Sequence, residues 1–180
     1  MRTSAGILLF SEPCDMDTPA LLQVARETVA KVTWCFVVTS NPTGAPNARI
    51  VRPGPLRDDW SIGFMTERAC RKVAEIVRAG RFTMAFQFDP ERAYVTLQGQ
   101  PHIVEDVAVK RAVWSPESQR FHPGGPEDPN VVIVRLRVDR IELYNVERGV
   151  QPDPIGLCSM VLERSAEGWS QHLTSPRDAA

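Results

Sequence analysis

Three cations stand close together in the stretch Phe64-Met65-Thr66-Glu67-Arg68-Ala69-Cys70-Arg71-Lys72, and the apolar spacing that follows predicts that they open a helix. Ala69, Val73, Ile76 and Val77 fall on one face of that helix, and Gly80 supplies its C-terminal stop. A helix N-terminus carries partial positive charge, so acidic residues are favoured there and basic ones are not. Arg68, Arg71 and Lys72 in that place imply a negative group held nearby. With Thr66 as a hydroxyl cap and the first N–H groups unpaired, the chemistry is that of a phosphate site. A second basic pair, Arg49 and Arg52, lies in Ala48-Arg49-Ile50-Val51-Arg52-Pro53. A solvated polar face is the usual fate of such arginines. The apolar strands on either side favour instead a flat aromatic ligand carrying the phosphate.

Other chemistries find no footing. There is no GxSxG, and His102, His122 and His172 lie far apart without HExxH spacing, so each reads as a surface or loop residue rather than a base or metal ligand. The four cysteines form no CxxC pair, which argues against zinc or a disulfide framework and fits a reducing cytoplasm. Walker and dinucleotide phosphate loops are absent. A net charge of −1 and a pI near 6.3 give no electrostatic case for nucleic acid or an anionic membrane. No apolar run is long enough for a membrane-spanning helix. No residue stands out as a general acid.

The elements that must position these groups follow from hydrophobic period and turn residues. The 180-residue chain has the length of one domain. Residues 1–15 read as a weakly ordered extension with Met16 as the functional start, 16–164 as a single barrel domain and 165–180 as a tail. Helical spacing covers 18–31, and strands are expected at 33–39, 46–51 and 60–65, before the helix of the opening stretch. Strands at 81–88 and 93–104, a short helix at 106–114, a Pro/Gly-rich loop over 115–130, a long alternating strand at 131–144 and a last strand at 156–163 complete the order. About seven strands with helices between them favour a mainly β fold, a β-barrel with peripheral helices, over a parallel α/β sheet. Trp34, Phe36, Phe82, Phe86 and Phe88 are assigned to the core, whereas Trp60 suits either core or stacking. Trp114, just before the Pro/Gly loop, reads as a cover for a cofactor or a partner subunit, with a helix-end core position as the alternative.

The segments Ala48–Pro53, Ser61–Ile76, Phe82–Phe88 and Ala93–Asp106 resemble the pyridoxamine 5′-phosphate oxidase-like flavoproteins. Trp114 and the loop Phe121–Pro129 resemble in particular the general-stress-protein branch, and the likeness spans residues 18–144. It implies a split β-barrel of the FMN-binding type and a homodimer with FMN at the subunit interface. By this resemblance Arg49, Ile50, Val51 and Arg52 run along the flavin, Phe64, Met65 and Thr66 support ring and phosphate, and the Arg71-Lys72 pair holds the phosphate. Cys70 stands where the family commonly has serine, and Tyr94 where the oxidase proper has glutamine. The oxidase's C-terminal Arg-x-His is missing, so pyridoxamine phosphate oxidation is not implied. The resemblance implies an FMN-dependent oxidoreductase acting on an unidentified small molecule, with NADH, NADPH or oxygen as partner. A non-catalytic flavin- or haem-binding stress-response module and a deazaflavin-dependent reductase of the same fold are the alternatives.

Overall fold

The computed structural model describes residues 16–152 and 158–174. Among these, the strands are β1 (Cys35–Ser40), β2 (Pro46–Val51), β3 (Ser61–Glu67), β4 (Phe82–Phe88), β5 (Ala93–Val104), β6 (Val131–Asn145), β7 (Met160–Ser165) and β8 (Gly168–Leu173). Every pairing is antiparallel, in the order β2-β1-β4-β5-β6-β7-β8, and β3 pairs with β6 off this path. The helices are α1 (Thr18–Ala30), α2 (Arg71–Ala79), α3 (Val107–Ala112) and α4 (Pro116–Phe121).

The long strand β6 explains the architecture. Its first half pairs with β3, from Glu67 opposite Val131 to Ser61 opposite Arg137, and its second half pairs with β7. Strand β5 runs along both halves, and its register shifts between Gln98 and Gly99. That bulge needs glycine, because a Cβ at Gly99 would lie 1.9 Å from the carbonyl oxygen of Arg137. Together the strands form one antiparallel eight-stranded sheet that does not close on itself among the described residues, the mainly β architecture expected of a split barrel. Helix α1 buries Leu21, Val24, Ala25 and Val29 in the core; Asp17 caps it by accepting the Ala20 N–H at 2.9 Å, with Pro19 in its first turn.

Several expectations are corrected. Helix α2 begins at Arg71 with Cys70 as N-cap, so Arg68 precedes the helix instead of opening it. Its buried face carries Val73, Glu75 and Ile76; Val77 is 58% exposed and Ala69 is exposed too. The predicted loop over 115–130 contains α4, and the stretch read as a tail contributes β8, paired along its length with β7. Trp34 and Phe36 are not core residues, being 46% and 45% exposed, while Phe82 and Phe86 are buried as expected. The predicted last strand begins at Met160; its expected start at 156, like the expected extension over 1–15, lies outside the described residues.

Candidate functional site

A groove of about 490 Å³ opens between the end of β2, the face of β3, the start of β6 and the α3–α4 segment. Its floor exists because the chain leaving β2 folds back on β3. The Gly54 N–H donates to the Gly63 oxygen at 2.7 Å, and the Arg57 N–H donates to the Ser61 oxygen at 2.9 Å. Gly63 permits the close layer beneath, since a Cβ there would meet Ile133 Cγ2 at 3.0 Å and the Val134 oxygen at 3.1 Å. The turn between these strands is held by Trp60, in the left-handed region at φ 63°, packed edge-on against Trp169 at 5.5 Å. Arg26 lies 4.8 Å over the Trp60 ring and donates to the carbonyls of Leu56 and Arg57, which fixes the turn from α1.

The expected site residues divide into two groups. Ile50, Val51, Arg52, Phe64, Met65, Thr66 and Lys72 all line the groove, whereas Arg49, Arg71 and Trp114 do not. Arg49 and Arg71 turn to Glu75. That buried carboxylate accepts from Thr39 Oγ1 at 2.5 Å, Asn47 Nδ2 at 2.8 Å and Arg49 Nη2 at 3.0 Å, and Arg71 Nε approaches to 3.5 Å. The Thr39 hydroxyl above all, with Arg49 and Asn47, outweighs burial and holds the Glu75 carboxyl below its ordinary range. Arg68 pairs with Glu105, and Arg52 pairs across the groove with Glu117 of α4. Lys72 makes no ion pair among the described residues.

The start of α2 is built differently from expectation. Thr66 does not cap the helix, and Cys70 makes no side-chain cap bond. The Thr66 hydroxyl is buried, and its nearest side-chain partner is the Cys70 Sγ at 3.7 Å. Burial pushes the Cys70 thiol up, but the Val73 N–H, the Thr66 hydroxyl and Lys72 together outweigh it and leave the thiol below its ordinary value. The Val73 and Ala74 N–H groups donate to the Cys70 carbonyl at 3.1 and 3.3 Å, so the Arg71 and Lys72 N–H groups are the ones left without a cap at the start of α2, beside a lysine that makes no ion pair among the described residues.

The opposite wall comes from α4. Ser115 Oγ accepts the Ser118 N–H at 3.1 Å in a capping box, and this orders a short helix that sends Glu117, Ser118 and Phe121 into the groove. Trp114 stands behind this wall, donating from Nε1 to Gln119 Oε1 at 3.2 Å, while its neighbours Val113 and Ser115 line the groove. Lys110 is buried and donates to the carbonyls of Asp128 and Val131 at 2.9 and 3.0 Å, anchoring the following loop to β6. Reasoning from the sequence missed Trp34, Gly54, Gly63, His122 and Arg135 as lining residues. The apolar doublet Trp34-Phe36 on the outward parity of a strand was the available signal for Trp34. Tyr94 is outside the groove; it stacks on Tyr144 with ring centroids 6.0 Å apart, and its hydroxyl donates to Glu142 at 3.4 Å.

A mainly β fold with a largely apolar groove that also carries Arg52, Arg57, Lys72 and Arg135 defines a class, and comparison places the chain within it. The family described as pyridoxamine 5′-phosphate oxidase like matches residues 22–151, and the chain belongs to that family. A pyridoxamine 5′-phosphate oxidase-related, FMN-binding protein from Nostoc punctiforme PCC 73102 is similar at a TM-score of 0.62 and 13% identity, covering 91% of this chain and 100% of that one. A protein related to general stress protein 26 from Clostridium acetobutylicum matches at TM-score 0.62 and 17% identity, covering 92% and 100%. PhzG from Burkholderia lata 383, in complex with tetrahydrophenazine-1-carboxylic acid, matches at 0.64 and 17%, covering 94% and 98%. At these identities the likeness to the solved structures is one of fold. No curated protein matches the chain. No helix among the described residues is long and apolar enough to cross a membrane.

Proposed function

We propose that the groove binds FMN and that the chain is a homodimeric flavin oxidoreductase acting on a small molecule. The observation that carries this reading is the meeting of an apolar floor with one unpaired cation at a helix N-terminus. The donor set suits the group. Lys72, the Thr66 hydroxyl and the first N–H groups of α2 bind a terminal phosphate, while Ile50, Val51, Phe64 and Met65 pack against a flat ring. When bound, the flavin supplies hydride chemistry, and the chain supplies position, exclusion of water and charge. Arg71 contributes less than the family resemblance implies, because its side chain is 74% exposed and its Nε is turned toward Glu75. The FMN-binding description of the Nostoc protein and the shared family support the choice of cofactor.

The homodimer rests on the outer face of β1 and β2. Phe36 and Ile50 are cross-strand partners, and Trp34 shares the parity of Phe36, so an exposed apolar stripe runs into the groove at Trp34 and Ile50. A second copy covering this stripe closes the groove.

Titration of purified protein with FMN, followed by flavin fluorescence, tests the reading. Saturable binding is expected, and Lys72→Ala should weaken it by about 1.5–3 kcal/mol, the range for a charge-assisted hydrogen bond. Arg71→Ala should cost less. Wild-type protein that leaves FMN unbound removes the proposal; uptake of a deazaflavin or of haem in its place moves the assignment to those alternatives. Anaerobic bleaching of bound FMN by NADH or NADPH supports the oxidoreductase half of the reading, and a bound flavin that no nicotinamide reduces returns the chain to a binding module or to another donor.

A further inference from the structure

The sequence sets His122 aside as a loop histidine, yet the fold carries it into the groove that Thr66 and Lys72 also line. It is the residue that ends α4, and its backbone is held on both sides. The His122 N–H donates to the Ser118 oxygen at 2.8 Å, and the Gly125 N–H donates to the His122 oxygen at 3.1 Å. Gln119 braces the segment by accepting from Trp114 and donating to the Pro123 oxygen at 3.0 Å. The imidazole lies 6.4 Å from the Trp114 ring. Its Nδ1 is buried and has no hydrogen-bond partner among the described residues. Buried polar atoms are almost always paired, and an orphaned one in a ligand groove marks a contact that the protein alone does not complete.

We infer that His122 is a ligand-contacting residue that takes up a proton when the groove fills with a phosphate monoester, making binding proton-linked. This rests on the proposal that the groove binds FMN and adds to it a group that the family resemblance does not supply. The ring's protonation is set by burial and by the charges around it. Burial is the strongest influence and disfavours the imidazolium; Lys72 of α2 disfavours it also, while Glu67 of β3 and Asp128 of the following loop favour it. The balance leaves the ring more readily neutral than an ordinary histidine. A phosphate dianion beside Lys72 reverses that balance, because it offsets the lysine's charge and adds its own attraction for the imidazolium. It also brings the acceptor that the protein lacks, reached by a turn of the ring about Cβ–Cγ. The proton comes from solvent, and no bond other than N–H is made.

The chain's three histidines make this measurable by proton NMR, with His102 and His172 as exposed references and His122→Gln for assignment. In the free protein His122 should titrate below an ordinary histidine. Saturating FMN should raise its titration midpoint, and riboflavin, which lacks the phosphate, should not. In parallel, His122→Gln should weaken FMN binding about tenfold near pH 6, as for a lost hydrogen bond to a charged group, and far less near pH 8. The phosphate's own second ionisation, near about pH 6, affects both proteins alike, so the difference between them isolates the histidine. If FMN binds with His122 unmoved, or if the variant loses affinity equally at both pH values, the inference is overturned while FMN binding stands. If wild-type protein ignores FMN, both are overturned together.

Discussion

Glu75 decides where two of the expected phosphate cations go. It sits in the second turn of α2, buried against β1 and β2, and accepts from Thr39, Asn47 and Arg49. Glu75→Gln keeps the shape but removes the charge that holds Arg49, so denaturant unfolding should show a lowered midpoint. A variant as stable as wild type would assign the cluster no structural weight. The pH dependence has a definite sign. The folded carboxyl titrates below its ordinary 4.5, so its contribution is fully present above that value and is lost as pH falls through the lowered folded value. The difference in stability between wild type and Glu75→Gln should therefore narrow only on the acid side of pH 4.5. Helical spacing put Val77 on the buried face because it is apolar, but Glu75 occupies that face with partners from β1 and β2. Such a cluster joins residues up to 36 positions apart, which local periodicity does not reach. Strand periodicity did place Phe64 and Met65 in β3, whose neighbours are set within the strand itself, whereas naming them and Thr66 as site residues came from the family resemblance.

Among the elements, the long apolar ones were legible and the short polar ones were not. Strands β4 and β5 alternate clearly, β6 alternates after its buried start at Val131–Val134, and α1 carries both its cap and its apolar face in plain view. Helix α4 is six residues long, none of them fully buried, and the prolines and glycines around it dominate its composition. Its signal was the Ser115-Pro116-Glu117-Ser118 start, a capping pattern with proline at the first helical position. Strand β8 is mostly exposed and lacks alternation, and only its pairing with β7 defines it. Two substitutions test these elements. Ser115→Ala should destabilise α4 by about 1 kcal/mol through the lost cap, and should weaken FMN binding because Glu117, Ser118 and Phe121 form that wall. Unchanged affinity would show that α4 does not contact the ligand. Gly99→Ala should cost about 3 kcal/mol or prevent folding, since the clash is with backbone, and a thermal melt reads it directly.

At the scale of the whole molecule, the outward face of β1 at Phe36, with Trp34 just before the strand, separates a lone barrel from an assembled one. Both faces of this strand are apolar: Cys35 and Val37 turn inward to the core, while Phe36 turns outward opposite Ile50, which is 61% exposed. That double apolarity explains the assignment of Trp34 and Phe36 to the core, because composition marks a strand as buried without saying which face the protein itself buries. An outward apolar stripe continuous with a ligand groove costs solubility unless another surface covers it. In the proposed dimer a second copy would do so with two-fold economy, because the same patch would serve both partners. Sedimentation of the wild-type chain should then give a dimer, and Phe36→Glu, at an exposed position where the change leaves the core intact, should give a folded monomer. The two consequences are coupled. If the groove is completed by the partner, the monomer should also bind FMN more weakly, with affinity that no longer depends on protein concentration. A Phe36→Glu chain that remains dimeric would move the interface to another face, and one that is monomeric yet binds FMN as tightly as wild type would confine the site to a single subunit.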